Sequence, residues 1–396
     1  MNNTNPSNTN PINVVKNKKL VPEIDFLRAG ACLCVILIHV TANPLYFAEP
    51  GSSAQLVYLI ANQFTRFSVP AFIFITGFTL ATTYLVKGTP FHYSSFLKSR
   101  LTTILTPYLI WSVTYYVYLH FYEPSHSWSG YVIDLIKTIL LGSAAYHLYF
   151  IVLICQFYIF APIFLFLFKK YAHPGRLLAL GGILQLAATI YNYHFVTLPG
   201  IPLLDALIQY LDRNFLLWAG YFILGMGLAV KLSAFRAWIT RYRIWLLAAS
   251  LFTWAGLVLE FLHSTQAGHP LAGVVTSVKP LVFLYTASAI PVLFWLQPKI
   301  TSAPLKNFYT QISRYSFGIY LCHPLLIWLV QIVVVYTAIQ TTIPIVVLTY
   351  MFCAAISFVL VYNFDKLSLR LRIKFKPKPS LSSVPGSNPS QDFISQ

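Results

Sequence analysis

The sequence is poor in charge. Only 9% of its 396 residues are Asp, Glu, Lys or Arg, against roughly 25% in an ordinary soluble domain. A soluble globule of this length needs an ionised surface, and these side chains are too few to supply one. Acid is the scarcer sign, with 10 Asp and Glu against 27 Lys and Arg and a net charge of +17. Cysteine is scarce too. Cys32, Cys34, Cys155, Cys322 and Cys353 all lie in apolar stretches, and none forms a C-x-x-C pair. Neither a disulfide framework nor a metal site is indicated. These shortages exclude a soluble enzyme, a disordered chain and a secreted disulfide scaffold. What is abundant is apolar: 57% of residues are hydrophobic and the mean hydropathy is +0.66. The chain reads as an integral membrane protein.

The apolar runs are continuous, which predicts helices rather than barrel strands. The fold class expected is all-α, a polytopic transmembrane helix bundle of about ten spans. The spans fall at Phe26–Pro44, Val69–Val86, Leu101–Tyr122, Leu148–Phe168, Leu177–Phe195, Phe215–Val230, Ile244–Leu262, Leu281–Leu296, Ser316–Ala338 and Ile345–Asn363. Gln55–Ser68 reads as a helical approach to the second span, and Tyr131–Leu141 as an amphipathic helix in the interface. Residues 1–20 are Asn-rich, end in a basic cluster and read as a disordered N-terminal segment, residues 21–376 form one transmembrane domain, and the Ser- and Pro-rich residues 377–396 read as a disordered cytoplasmic tail. The first run is too long for a signal-peptide core and is expected to be retained.

Basic residues settle in cytoplasmic loops. With the N-terminus inside, 22 Lys and Arg fall on the cytoplasmic side and only Lys137 and Arg213 outside. Arg28, Arg66 and Lys279 lie at membrane depth. Both termini are therefore expected to be cytoplasmic. The same sidedness accounts for the positive charge without nucleic acid, since no basic stripe lies on a soluble domain.

An ionisable group within a span is costly and marks a functional site by default. Asp25, Arg28 and His39 stand out in the first span. Eleven residues advance a helix by ~16 Å and turn it by ~1100°, about 20° from whole turns. Arg28 and His39 therefore share a face, with His39 near mid-membrane. Asp25 lies one turn from Arg28 and can pair with it. The plain alternative is that Arg28 snorkels to the interface and His39 bonds to a neighbouring helix.

Asp25-Phe-Leu-Arg28-Ala followed by His39 resembles the R-x(10)-H signature of the acyltransferase 3 family of integral-membrane acyltransferases. Val69-Pro70-Ala-Phe72-Ile-Phe74-Ile-Thr-Gly77-Phe78 is similar to that family's second-span pattern. Phe96-Leu-Lys98-Ser-Arg100, His147-Leu-Tyr-Phe-Ile, Gln156-Phe-Tyr158 and Ser316-Phe-Gly318-Ile-Tyr320-Leu-Cys-His323-Pro324 resemble further segments in the same order. The resemblance runs from Asp25 to Asn363. Two positions depart from it. The second arginine of the family's R-x-x-R is Thr103 here, and Thr76 stands where many members have Ser.

The resemblance implies transfer of an acyl group from cytoplasmic acyl-CoA to a hydroxyl, with no permanently bound cofactor. The acyl group is acetyl by default; succinyl fits the branch acting on exopolysaccharides. The acceptor is a glycan of the envelope or a lipid-linked sugar, and the compartment is the bacterial cytoplasmic membrane. On this reading Arg28, Lys98 and Arg100 address the phosphates of CoA, Asp25 supports Arg28, and His39 deprotonates the acceptor hydroxyl. Self-association and docking onto polysaccharide machinery both stay open.

Other residues carry two readings each. His147, at the outer mouth of its span, contacts acceptor or packs at the interface. His323, before Pro324, is catalytic or a structural hydrogen-bonding group. Arg66 binds an acidic sugar or lipid phosphate, or snorkels, and snorkelling is preferred. Glu123 assists acceptor binding or is simply solvated; Tyr46, Trp111 and Trp128 stack on sugars or anchor span ends. Lys279 has no argued role. The rival function is export of a glycan or lipid-linked sugar with no bond chemistry.

Overall fold

A computed structural model describes residues 21–120, 127–171, 173–194, 201, 210–267, 275–337 and 340–374. The terminal segments assigned to disorder, and Glu123, lie outside these residues. Among the described residues there are no strands. The helices are α1 Pro22–Phe47, α2 Ser53–Phe64, α3 Ser68–Ala81, α4 Tyr93–His120, α5 Trp128–Leu141, α6 Tyr149–Ile159, α7 Ala161–Lys170, α8 Pro174–His194, α9 Ala219–Val230, α10 Leu232–Gln266, α11 Pro280–Leu296, α12 Ala303–Tyr336 and α13 Ile343–Lys374.

Local chemistry explains several ends. Pro22 opens α1, with Glu23 and Asp25 in the first turn, where proline leaves no needed donor and acids meet the positive helix end. Ser52 caps α2, accepting from the Gln55 amide at 3.1 Å. Gly142 closes α5 in the left-handed region. The predicted fourth span bends by 48° between α6 and α7, where Pro162 cannot continue the hydrogen-bond ladder across the break.

Six helical stretches are long and apolar enough to cross a membrane, or seven with the bent α6–α7 pair counted as one. The other three predicted spans fall on α4 and α8, which are long enough but less apolar, and on the turn-plus-helix at 215–230, which is apolar but shorter. The protein is a polytopic helical bundle. Helix α5 leaves Trp128, Ile133 and Leu140 exposed along its length, matching its amphipathic pattern.

Helix α1 lies at the centre, packed most extensively on α12 and then on α2, α3 and α13. The α3–α9 contact is the tightest of the bundle. A Cβ on Gly77 would meet the backbone carbonyl of Phe222, and one on Gly225 that of Phe74. Glycine lets two helix backbones approach where lipid supplies no hydrophobic drive for association. Gly225→Val is expected to destabilise the bundle by about 2 kcal/mol, because backbone cannot yield as a side chain does. A thermal melt of the purified protein in detergent measures this.

Candidate active site

One end of the bundle carries the start of α1, the α3–α4 connection, the α9–α10 turn and the start of α12, with most of the Lys and Arg. On this basic face a cavity of about 340 Å³ opens between α1, α3, α4, α6 and α12. Arg28, Arg100 and Arg314 line it, and no carboxylate does.

Arg28 is held from one side. Its Nη1 lies 3.7 Å from Asp25 Oδ1 and donates to Ser313 Oγ at 3.5 Å. Ser313 in turn donates to Asp25 Oδ1 at 2.7 Å. The pairing of Asp25 with Arg28 expected from their spacing is present. One carboxylate and one hydroxyl leave most of the five guanidinium donors free to face the cavity. Arg100 sits 5.7 Å from the Phe96 ring centroid and 5.8 Å from that of Tyr158, so aromatic faces steady its planar cation. Arg314 has its own acid, with Nη2 3.5 Å from Asp365.

Lys98 is exposed and does not line the cavity. Two residues from Arg100, it points to another side of the helix. Thr103, at the position of the family's second arginine, does line it.

His39 lies farther along α1, beyond the floor of this cavity. Its ring centroid is 4.5 Å from that of Tyr146 and 5.4 Å from that of His323, the histidine rings stacked at 26°. His147 stands 5.4 Å from His323 and 5.0 Å from Tyr320. Three histidines from α1, α12 and the turn before α6 thus form one layer.

His147 is buried rather than at an outer mouth, which corrects the sequence reading. The turn after Gly142 carries the chain back into the bundle before α6 starts, and the Tyr320 hydroxyl donates to the His147 carbonyl. Both His147 ring nitrogens are buried without a protein partner. His323 is fully buried, and its Nδ1 lies 3.2 Å from the Ile319 carbonyl. A carbonyl only accepts, so Nδ1 carries the proton and Nε2 keeps a lone pair. That Nε2 is buried and unpartnered. The two readings of His323 are therefore compatible: one nitrogen is structural and the other is free. His39 keeps part of its surface accessible.

Among the described residues no three His, Cys, Asp or Glu are placed to hold one metal ion. The layer is a set of imidazoles suited to moving protons.

Arg66 is buried and does not snorkel, contrary to the preferred reading. It donates to Asn62 Oδ1 and to the Val275 carbonyl. The Asn62 amide nitrogen donates to Ile38 O at 3.0 Å and to Thr41 Oγ1 at 3.1 Å. The guanidinium finds its acceptors inside the bundle, and the network clamps α1 on either side of His39.

Lys279, left without a role by sequence, is fully buried and ion-paired to Glu260 at 2.8 Å. Lys279→Ala strands a carboxylate that is 23% exposed. A loss of about 2 kcal/mol is expected, below the roughly 3–5 kcal/mol for a fully buried pair. Unfolding of the purified variant against the parent measures it, and Glu260→Gln combined with Lys279→Met is expected to recover part of the loss.

Asn62 and Glu260 were detectable as polar groups within apolar runs. Ser313 and Tyr146 were not, because nothing local ties them to α1. Tyr46 and Trp128 are largely exposed, and Trp111 packs on Tyr115 at 5.5 Å.

The sequence model of the acyltransferase domain family matches residues 21–362. The putative membrane-bound acyltransferase YfiQ of Bacillus subtilis is 26% identical over 340 residues, 85% of this chain and 89% of that protein. A probable poly-beta-1,6-N-acetyl-D-glucosamine export protein of Staphylococcus aureus is 25% identical over 320 residues, 78% of this chain and 83% of its own. The succinoglycan biosynthesis protein ExoH of Rhizobium meliloti is 27% identical over 117 residues, 29% of this chain and 31% of its own. No solved structure matches the chain.

Proposed function

The chain belongs to the acyltransferase 3 family of membrane proteins, and from that premise we propose that it moves an acyl group from cytoplasmic acyl-CoA to a hydroxyl of an envelope glycan. The basic face is cytoplasmic, with ten membrane crossings and both termini inside, and the membrane is the bacterial cytoplasmic one. Acetyl is the default acyl group, with succinyl the alternative. The observation that carries this reading is the arginine-lined cavity on the basic face, which leads toward the histidine layer.

CoA is a polyanion, and Arg28 and Arg100 present planar donors to its phosphates. From there the thin pantetheine arm follows α1 for the ~16 Å that separate Arg28 from His39. At the layer His39 accepts the proton of the acceptor hydroxyl as the oxygen attacks the thioester carbonyl. The C–S bond breaks, CoA leaves as the thiol with that proton, and the ester remains on the acceptor. The free Nε2 of His323 beside His39 gives the proton a second place to rest.

The decisive measurement uses purified protein in nanodiscs with radiolabelled acetyl- or succinyl-CoA and glycan extracted from the source cell. Transfer predicts label in glycan and stoichiometric release of CoA thiol. The export reading draws on the name of the Staphylococcus aureus relative and predicts that acyl-CoA is left intact and confers no thermal stabilisation.

A further inference from the structure

A second cavity, of about 390 Å³, opens on the flank of the bundle between α9, α10 and α11. Its walls follow from helix registers. Tyr221, Leu224 and Leu228 stand on one stripe of α9, at i, i+3 and i+7. The floor is buried and apolar, made by Phe74, Phe235 and Ile290. The rim is open, because Ala234 on α10 and Ala287 on α11 are exposed and too small to close it.

The groove has the length of one leaflet. From Tyr221 to Lys231 the chain rises ~15 Å along α9, half of a hydrocarbon thickness of ~30 Å. It ends at the α9–α10 turn, on the basic face. Spread over ~15 Å, 390 Å³ makes a slot about 5 Å wide. That admits one hydrocarbon chain, whose atoms keep contacts of ~4 Å, and excludes a helix ~10 Å across.

Its charge is all at one end. Lys231 is the only charged residue that lines it. It is exposed and makes no ion pair among the described residues. Arg236, five residues on, is by contrast held by Glu23 at 2.7 Å. An apolar slot one leaflet deep, with an unpaired cation at its surface end, matches an acyl chain that carries an anion at its head.

We infer that this groove binds one acyl chain of an anionic phospholipid from the leaflet bordering the basic face, with the lipid phosphate at Lys231. The site does not depend on the transfer reading, since none of its residues lines the arginine cavity. It bears on that cavity through α3. Phe74 lines the groove, while Thr76 and Thr79 of the same helix line the arginine cavity. A bound chain braces this helix beside its glycine contacts with α9.

The test titrates delipidated full-length protein in detergent with dioleoyl phosphatidylglycerol or dioleoyl phosphatidylcholine, read by native mass spectrometry and thermal melting. One phosphatidylglycerol per chain is expected to bind about fivefold more tightly than phosphatidylcholine, the ratio for about 1 kcal/mol from one lysine near an anionic lipid. Lys231→Gln is expected to abolish that preference and leave the lipid-free melting temperature unchanged. Ala287→Trp and Ala234→Trp narrow the slot from opposite walls. Each is expected to weaken both lipids about tenfold, the cost of keeping two methylenes out. Should one of them lower the lipid-free melting temperature, the other, on a separate helix, carries the comparison. Equal affinity for the two lipids, a preference that survives Lys231→Gln, or unchanged affinity in a folded Trp variant overturns the assignment. So does glycerol 3-phosphate or oleate competing on equal terms with the phospholipid, which would reduce the site to a head or a tail alone. A dimer that either Trp substitution dissolves overturns it too, since the groove would then join two copies.

Discussion

Replacing His39 with alanine is expected to lower acyl transfer about a thousandfold, within the 10²–10⁴ range that a positioned general base contributes, while leaving the protein monodisperse in detergent. Only part of the His39 ring is accessible, and its neighbours are the rings of Tyr146 and His323. Alanine removes the base without stranding a charge, so the bundle has little reason to unfold. Stabilisation by acyl-CoA should survive, since the arginines that face the donor lie along the helix toward the basic face. His323→Ala distinguishes the roles of the two rings. It removes the hydrogen bond to the Ile319 carbonyl as well as the free Nε2, so both stability and rate should fall. A single-turnover assay that separates acyl-CoA binding from ester formation measures these effects. Full transfer by the His39→Ala protein would remove His39 from the mechanism.

Arg28→Ala carries the second largest expected effect, a rise of about 10- to 100-fold in KM for acyl-CoA with a smaller change in kcat. The size follows from losing one charge-assisted contact, roughly 1.5–3 kcal/mol. Arg28→Lys should restore little, because the ammonium is a point charge and cannot reproduce a fork already shared with Asp25 and Ser313. Ser313→Ala tests that support. It removes the hydroxyl bridging Asp25 and Arg28 and should shift KM by severalfold without touching the donor itself. Initial rates across acyl-CoA concentrations read all three. A kcat loss in Arg28→Ala with unchanged KM would move Arg28 from donor binding to the chemical step.

The absence of the family's second arginine takes on a physical meaning in this light. Thr103 occupies its place on the cavity wall, and Arg314, reaching in from α12, gives the cavity a third cation. Cation count in the cavity was not legible along α4 alone, since Arg314 lies on a distant helix.

Much of the architecture was readable because the membrane imposes it. Apolar length places helices, and the alignment of Arg28 with His39 and the pairing of Asp25 with Arg28 follow from helix pitch within a single element. Local rules also placed Tyr131–Leu141 as amphipathic. Where a backbone leaves its regular course, those rules ended. The inward turn after Gly142 buries His147, and the break before α7 bends the span predicted at Leu148–Phe168. Arg66 shows the same limit: a sequence gives its depth, but only the neighbours Asn62 and Val275 decide that it stays inside.

The sequence by itself determined the membrane setting, the helical class, the uneven distribution of basic charge and the candidate pair on α1. Only the tertiary structure decided that His147 and His323 join His39, that Ser313 braces Arg28, and that an arginine-lined cavity opens on the basic face. The physical reason is that composition and periodicity act within one helix, whereas these contacts join helices hundreds of residues apart in sequence. Interhelical packing alone sets which faces meet.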